Sequence, residues 1–268
     1  MDLRRFGLST FLWPGMDLLR WVDLATELGL GGVELRADPR AACPRDLGAA
    51  DRRALREELE SRDLWSSVHA PIYGVNLASP LPSLAAAALG EVVEAVDLAV
   101  DLCSRLVVVH PGHVDVDYLS VDGEREHASR RVEFALEVVL ARARPAGVRV
   151  AVENKQRGRG WDMIYTPDDH NLFLTRFPDL GACLDLGHLH TTGGDPAAYV
   201  AGLGDRLVHV HLHDNGGEQD DHLGLGRGGV AWREALGVLK TSGYGGSIVL
   251  EIPDPEELRH AVSLVGGA

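Results

Sequence analysis

Short apolar segments alternate along the chain with longer segments in which apolar residues recur at helical spacing. The short segments are rich in β-branched residues, which is typical of buried strands. They cover approximately residues 6–11, 32–35, 66–70, 106–110, 148–153, 182–186, 208–213 and 248–252. The helical pattern covers residues 18–28, 55–64, 84–102, 128–141, 171–177, 196–203, 232–239 and 256–265. The chain therefore predicts eight strands, each followed by a helix.

This regular alternation predicts an α/β fold with a parallel sheet, because each helix returns the chain to the start of the next strand. At 268 residues, closure into a (β/α)₈ TIM barrel is the expected outcome, and an open doubly wound sheet is the alternative. Asp195-Pro196 and Asp254-Pro255 each place a capping residue before a proline suited to the first helical turn. No linker or low-complexity tract interrupts the pattern, so residues 1–268 are predicted to form a single domain.

Composition places the chain among ordinary globular proteins, with 45% hydrophobic and 25% charged residues. The formal net charge of -14 argues against a nucleic-acid partner, because such a field repels phosphate backbones. The three cysteines are far apart in sequence, which indicates reduced thiols and a cytoplasmic location. No apolar run approaches the length of a membrane span, and no signal-peptide pattern precedes the first strand. We therefore expect a small-molecule partner and no membrane association, and the sequence allows a homo-oligomer.

Polar residues collect where the predicted strands end. In a barrel, the carboxyl ends of all strands meet at one rim, where active sites form. Every strand from the second to the eighth brings a carboxylate or an imidazole to this rim: Glu34, His69, His110, Glu153, Asp185, His188, His211, Asp220, His222 and Glu251. Any one of these residues alone is most simply a solvated or hydrogen-bonded polar group. Their repetition at one rim predicts a shared site.

The segment Leu207–Asn215 carries three histidines that alternate with apolar residues. A period of two places His209, His211 and His213 on one face of a strand. Neutral imidazoles are good ligands for Zn²⁺, Mn²⁺ or Fe, so one interpretation is a metal site. The alternative is a surface strand whose outward face carries the histidines. His209 is expected to pack inside the barrel, and His190 and His213 to support the ligands from behind or to face solvent.

The concentration of charge at the rim favours the metal site. Carboxylates and imidazoles gathered in a barrel mouth would repel one another or lack partners without a cation. The mixture of His, Asp and Glu donors suits Mn²⁺, Zn²⁺, Co²⁺ or Fe²⁺ almost equally. The sequence therefore predicts a divalent-metal cofactor and leaves its identity open.

These residues give the chain a resemblance to the xylose-isomerase-like TIM-barrel superfamily. That superfamily contains sugar isomerases and epimerases, inosose dehydratases, hydroxypyruvate isomerases and endonuclease IV. The resemblance covers essentially the whole chain. It is carried by Glu153-Asn154, Asp185-x-x-His188, the run from His211 to Asn215, Asp220-x-His222 with the glycine-rich turn after it, and Leu250-Glu251.

Resemblance to the isomerase and epimerase branch implies a single divalent cation held by Glu153, Asp185, His211 and Glu251. Glu153 and Glu251 would also be the catalytic pair that moves a proton through a metal-stabilised enediolate. The resemblance also implies that His188 contacts substrate oxygens. The arginine that the epimerases carry shortly after the strand-seven histidine is missing at that spacing, and Arg227 is the nearest candidate. This departure counts against a simple ketose 3-epimerase.

Resemblance to the endonuclease IV branch implies a different centre, with three zinc ions and a complete ligand set. The chain offers a candidate for each position: His69, His110, Glu153, Asp185, His188, His211, Asp220, His222 and Glu251. Such a centre would hydrolyse a phosphoester. The acidic charge and the lack of basic rim residues argue against a DNA substrate.

The first hypothesis is therefore a metal-dependent isomerase or epimerase (or a lyase) acting on a small sugar or hydroxy-carbonyl compound. The alternative is a multinuclear zinc phosphoester hydrolase, and a third reading is a non-catalytic metal-binding barrel. Candidate substrate-binding residues are His188, Arg227, Lys155 and Trp13. Lys155 would point to the same side as Glu153, and Trp13 could stack against a sugar; a surface lysine and a packed tryptophan are the simpler alternatives.

Overall fold

The structure, a computed structural model, describes residues 2–158 and 160–267 and contains a closed barrel of parallel strands. Within the described residues the strands are β1 (Phe6–Ser9), β2 (Gly32–Arg36), β3 (Trp65–His69), β4 (Leu106–Val109), β5 (His113–Val114), β6 (Arg149–Glu153), β7 (Trp161–Asp162), β8 (Gly181–Asp185), β9 (Leu207–Leu212) and β10 (Ser247–Leu250). The barrel order is β1-β10-β9-β8-β6-β4-β3-β2, and β1 pairs with β2 to close the cylinder. The predicted (β/α)₈ barrel is confirmed, and all eight predicted strands belong to it.

Helices follow the barrel strands and cover the outside of the cylinder. In the part of the chain that the structure describes they are α1 (Leu18–Glu27), α2 (Ala49–Ser61), α3 (Pro82–Asp101), α4 (Glu124–Ala143), α5 (Pro167–Arg176), α6 (Leu186–Thr192), α7 (Pro196–Leu203), α8 (Trp232–Thr241) and α9 (Pro255–Gly266). The two predicted caps are confirmed, since the Asp195 and Asp254 carboxylates accept hydrogen bonds from first-turn amides of α7 and α9. None of the helices in the described residues is long and apolar enough to cross a membrane.

Helix α6 was not predicted, because the alternation of polar and apolar residues after Asp185 resembles a continuing strand. The structure ends β8 at Asp185 and begins α6 at Leu186. The reason is a helix cap: the Asp185 side chain accepts a hydrogen bond from the His188 amide at 2.6 Å. The small antiparallel sheet of β5 and β7 was also missed, since two-residue strands carry no periodic signal.

The inside of the barrel changes from apolar to polar along the strands. Near the amino-terminal end, a small cluster of Leu106, Val108, Ala151 and Cys183 fills the interior. Side chains two residues further along a strand share the same inward face. Ala151 is therefore followed by Glu153 and Cys183 by Asp185, both fully enclosed in the protein. The apolar cluster forms a floor beneath the polar rim.

Candidate metal centre

The carboxylate of Glu153 lies at the centre of the rim and is enclosed by four imidazoles. Its Oε2 atom is 3.2 Å from His69 Nε2 and 2.9 Å from His110 Nε2. Its Oε1 atom is 3.2 Å from His211 Nδ1 and 3.3 Å from His188 Nδ1. Burial raises the pKa of this carboxyl, but its contacts with the surrounding imidazoles outweigh burial and hold the pKa well below its usual range. The two oxygens of Glu153 therefore face two different sets of ligands.

One set, here called the central group, consists of Glu153, Asp185, His211 and Glu251. His211 Nδ1 lies 3.2 Å from Glu153, 3.9 Å from Asp185 and 3.7 Å from Glu251, measured to the nearest carboxylate oxygen of each. The buried Asp185 Oδ2 has no hydrogen-bond partner among the described residues. A buried carboxylate oxygen without a partner is costly, and a divalent cation would satisfy it. The donors of the central group therefore fit a divalent cation.

A second set, here called the rim group, lies beside the central group and consists of His188, His213, Asp220 and His222. Asp220 Oδ2 is 3.0 Å from His188 Nε2 and 3.3 Å from His222 Nε2, and Asp220 Oδ1 is 3.3 Å from His213 Nε2. Burial lowers the pKa of His213, but Asp185 and Asp220 outweigh it and raise the pKa to about 9. The Asp185 and Asp220 carboxylates therefore favour positive charge at this position, which either a protonated imidazole or a second cation could supply.

Hydrogen bonds to backbone carbonyls orient the imidazoles. His69 Nδ1 donates to Ala70 O at 2.7 Å, His188 Nδ1 to Asn154 O at 2.8 Å and His222 Nδ1 to Glu251 O at 2.9 Å. Because Nδ1 carries the hydrogen in each of these rings, the lone pair on Nε2 can bind a proton or a metal ion.

His211 uses the opposite nitrogen, because its Nε2 faces Glu34 Oε1 at 3.0 Å. Glu34 also accepts hydrogen bonds from His209 and Ser67 in the buried layer beneath the centre. Glu34 thus holds the His211 ring so that Nδ1 points at the central group. The expectation that His209 packs inside the barrel is confirmed.

His213, which was expected to support the ligands from behind or to face solvent, is a ligand candidate in the structure. The structure buries it completely, between Asp185 and Asp220. Gly187 makes room for the ring, since a Cβ atom at that position would lie 2.0 Å from His213 Cε1. The period-two pattern of Leu207–Asn215 contained the signal, because it placed all three histidines on one face.

The loop that carries Asp220 and His222 is organised by Asp214, which sequence reasoning did not single out. Asp214 Oδ1 accepts hydrogen bonds from the amides of Asn215 and Val230 at 2.9 Å, and Oδ2 accepts from the Gly226 amide at 2.8 Å. The Asp214 and Leu223 backbones also pair in both directions. These contacts fold the loop back over the barrel and fix the rim group.

Asp214→Ala is expected to lower the free energy of unfolding by at least about 2 kcal/mol, because it leaves the buried amides of Asn215 and Val230 without acceptors. Urea denaturation of the metal-free protein measures this loss. Asp221→Ala is the matched control, since Asp221 lies exposed on the same loop and its loss is expected to stay within about 0.5 kcal/mol. Equal stability of the two variants would contradict the role given to Asp214.

A cavity of about 500 Å³ opens above the centre and brings several predicted residues together. His69, His110, Glu153, Lys155, His188, Asp220, His222 and Glu251 all line it. Arg36, which the sequence did not mark, also lines the cavity, and its Nη2 pairs with Asp38 at 3.0 Å. This volume suits a small molecule.

Two predicted substrate-binding residues lie elsewhere. Trp13 and Arg227 line a neighbouring hollow, which meets the central cavity at His222. There the Arg227 guanidinium pairs with Glu257 at 2.9 Å. His190 is also outside the site, where its Nδ1 lies 2.9 Å from Asn215 Oδ1.

Lys155 is buried against His110. Its Nζ atom is 3.1 Å from His110 Nε2 and 3.2 Å from His110 Nδ1. Burial foremost, and the Lys155 charge next, lower the pKa of His110 to about 3. His110 is therefore neutral at physiological pH.

Comparison with known proteins gives consistent matches over most of the chain. Residues 22–265 match a family model described as a xylose isomerase-like TIM barrel. An uncharacterized protein, MJ1311 of Methanocaldococcus jannaschii, is 33% identical over 207 residues, which span 72% of this chain and 67% of that protein. A probable endonuclease 4 of Malacoplasma penetrans is 26% identical over 180 residues, which span 62% of this chain and 59% of that protein. A crystal structure described as a D-tagatose 3-epimerase-like protein superposes with a TM-score of 0.86 at 25% identity, covering 98% of this chain and 96% of that one.

Proposed function

The chain belongs to the xylose isomerase-like TIM-barrel family, and on that basis we propose that it is a divalent-metal-dependent isomerase or epimerase of a small sugar or hydroxy-carbonyl compound. The observation that carries this proposal is the central group. Its members come from four parts of the chain and meet around one point beneath a cavity of about 500 Å³. Two of them are glutamates, which can move protons as well as bind a cation.

Glu153 and Glu251 are proposed as the catalytic pair. Glu153 is ionised at neutral pH, and a carboxylate is the form of this side chain that can accept a proton from a carbon next to a carbonyl. Glu251 lies three strands away around the barrel, after β10, and would return a proton on the other side of the substrate. A divalent cation in the central group would supply electrostatic stabilisation for the negative charge of the enediolate.

The cavity lining supports a small, oxygen-rich substrate. His188 and Lys155 are proposed to contact substrate oxygens, since both side chains line the cavity. Trp13 and Arg227 would reach only a substrate that extends past His222 into the neighbouring hollow. The metal is proposed to be Mn²⁺, Zn²⁺, Co²⁺ or Fe²⁺, because the donors are carboxylates and imidazoles. The free thiols of Cys43, Cys103 and Cys183 support a cytoplasmic location.

Incubation in D₂O with a panel of ketoses and aldoses tests the reaction class. The metal-loaded protein is expected to convert at least one of them to an isomer or epimer. Solvent deuterium should appear at the carbon that changes, because exchange follows from proton transfer through an enediolate. Mass spectrometry and proton NMR measure the exchange. Turnover of a sugar without any deuterium uptake would contradict the proton-transfer mechanism.

A second candidate function is a multinuclear phosphoester hydrolase. It is favoured by one specific observation: every ligand that the endonuclease IV resemblance requires lies at the barrel mouth. His69 and His110 contact one oxygen of Glu153, and the central and rim groups contain all the others. This alternative predicts release of inorganic phosphate from a small phosphoester such as p-nitrophenyl phosphate, with three zinc ions per chain.

A further inference from the structure

The corner of the site formed by His69, His110 and Glu153 has the donors of a metal site. Both imidazoles direct Nε2 at the same oxygen, Glu153 Oε2, at 3.2 and 2.9 Å. These atoms lie close enough together for one ion to reach all three residues. By donor type alone, this corner would hold a cation of its own beside the central group.

The ammonium of Lys155 already occupies the neighbourhood of that corner. Its Nζ atom is nearly equidistant from the two ring nitrogens of His110, at 3.1 and 3.2 Å, which places it against the ring. Lys155 as a whole residue is only 8% exposed. In the part of the chain that the structure describes, no carboxylate forms an ion pair with it. Its ammonium contacts the corner through the ring of His110.

The backbone holds Lys155 in this position. Its amide donates to Ile164 O at 2.8 Å. The preceding residue, Asn154, is fixed on both sides of its side-chain amide, because Nδ2 donates to Asp185 O and Oδ1 accepts from the Asp185 amide. These bonds fix the backbone from which the Lys155 side chain extends beside the central group.

The charge of the Lys155 ammonium determines whether a divalent ion can bind at this corner. A divalent ion bound to His110 Nε2 would lie about 2.1 Å from that nitrogen, and thus within about 5 Å of the Lys155 ammonium. At that separation in a buried site, repulsion between the two cations is strong. The Lys155 ammonium also places positive charge near Glu153 Oε2, which a buried carboxylate requires.

We propose that Lys155 takes the place of a metal ion at the corner formed by His69, His110 and Glu153, so that this chain loads metal only at the central and rim groups. This inference rests on the proposed function, because it assumes that the central group binds a cation. A chain with Lys155 at this corner would lack one of the three zinc sites that the alternative hydrolase requires. Lys155, packed against the neutral ring of His110, then places a fixed positive charge in the wall of the substrate cavity.

Counting bound zinc tests the inference without any substrate. The full chain is stripped with a chelator, reloaded with Zn²⁺ alone, dialysed at fixed free zinc and analysed for metal per chain. Lys155→Met is expected to bind one more equivalent of zinc than the wild type. The additional equivalent should disappear in Lys155→Met/His69→Ala. Lys155→Arg keeps a cation at this position and is expected to match the wild type.

The zinc content of the single variant His69→Ala is an independent test, because it does not depend on whether a lysine variant folds. This substitution is expected to leave the zinc count of the wild type unchanged. The inference is overturned if the His69→Ala protein binds one equivalent of zinc fewer than the wild type. It is also overturned if the Lys155→Met protein binds no additional zinc. Failure of the proposed function looks different: Asp185→Ala would then leave the zinc count unaltered, whatever the lysine variants show.

Discussion

Replacing Glu153 with alanine is expected to remove the cation from the central group and to reduce turnover by at least about 10³-fold. The change deletes a proton-transfer group, which is worth about 10²- to 10⁴-fold alone. It also deletes a ligand whose two oxygens contact His69, His110, His188 and His211. Metal analysis of the purified protein and the deuterium-exchange assay measure the two losses separately.

Glu137→Ala is the matched control for this variant, because Glu137 is an exposed glutamate on α4, outside the site. It is expected to keep wild-type metal content and activity. Glu153→Gln retains the volume of the side chain, and it should lose activity to a similar degree because an amide cannot accept the proton. Normal turnover in both Glu153 variants would show that the catalytic role is assigned to the wrong residue.

Glu251→Gln is expected to keep the metal and lose turnover by about 10²- to 10⁴-fold, since the amide oxygen can still bind a cation but the side chain no longer exchanges a proton. The contact that orients His222 should survive, because His222 donates to the backbone carbonyl of Glu251 and not to its side chain. The expected kinetic signature is a fall in kcat with little change in KM.

The control for Glu251→Gln is Glu256→Gln, at an exposed glutamate in the first turn of α9. This control should behave as the wild type. If Glu251→Gln instead loses the metal and both kinetic constants change together, Glu251 acts as a ligand alone. The second proton-transfer group must then be another side chain in the cavity.

The barrel could be predicted from the sequence because its determinants are local and repetitive. Apolar strands such as Leu106–Val109 are buried on both faces, and capped helices such as α7 begin at a clear signal. The failure at α6 has a local cause as well. The sequence after Asp185 fits either a continuing strand or a new helix. The structure forms the helix, because the Asp185 side chain accepts a hydrogen bond from the His188 amide.

The site could be predicted only in part. The residues of the central group end strands, and the closure of the barrel brings strand ends together. The contacts of Lys155, Arg36 and Asp214 depend on how separate loops fold over the rim, and sequence spacing does not encode this. Arg227 lies close to the site in sequence, but its pairing with Glu257 holds it in the neighbouring hollow.

The most direct test is an anomalous difference map from crystals of the protein loaded with Mn²⁺ or Zn²⁺. We predict a peak in the central group, about 2.0 to 2.3 Å from donor atoms of Glu153, Asp185, His211 and Glu251. The corner at His69 and His110 should be without a peak. A map from saturated crystals with no peak among the four central residues would contradict the assignment of this centre and the activity proposed from it.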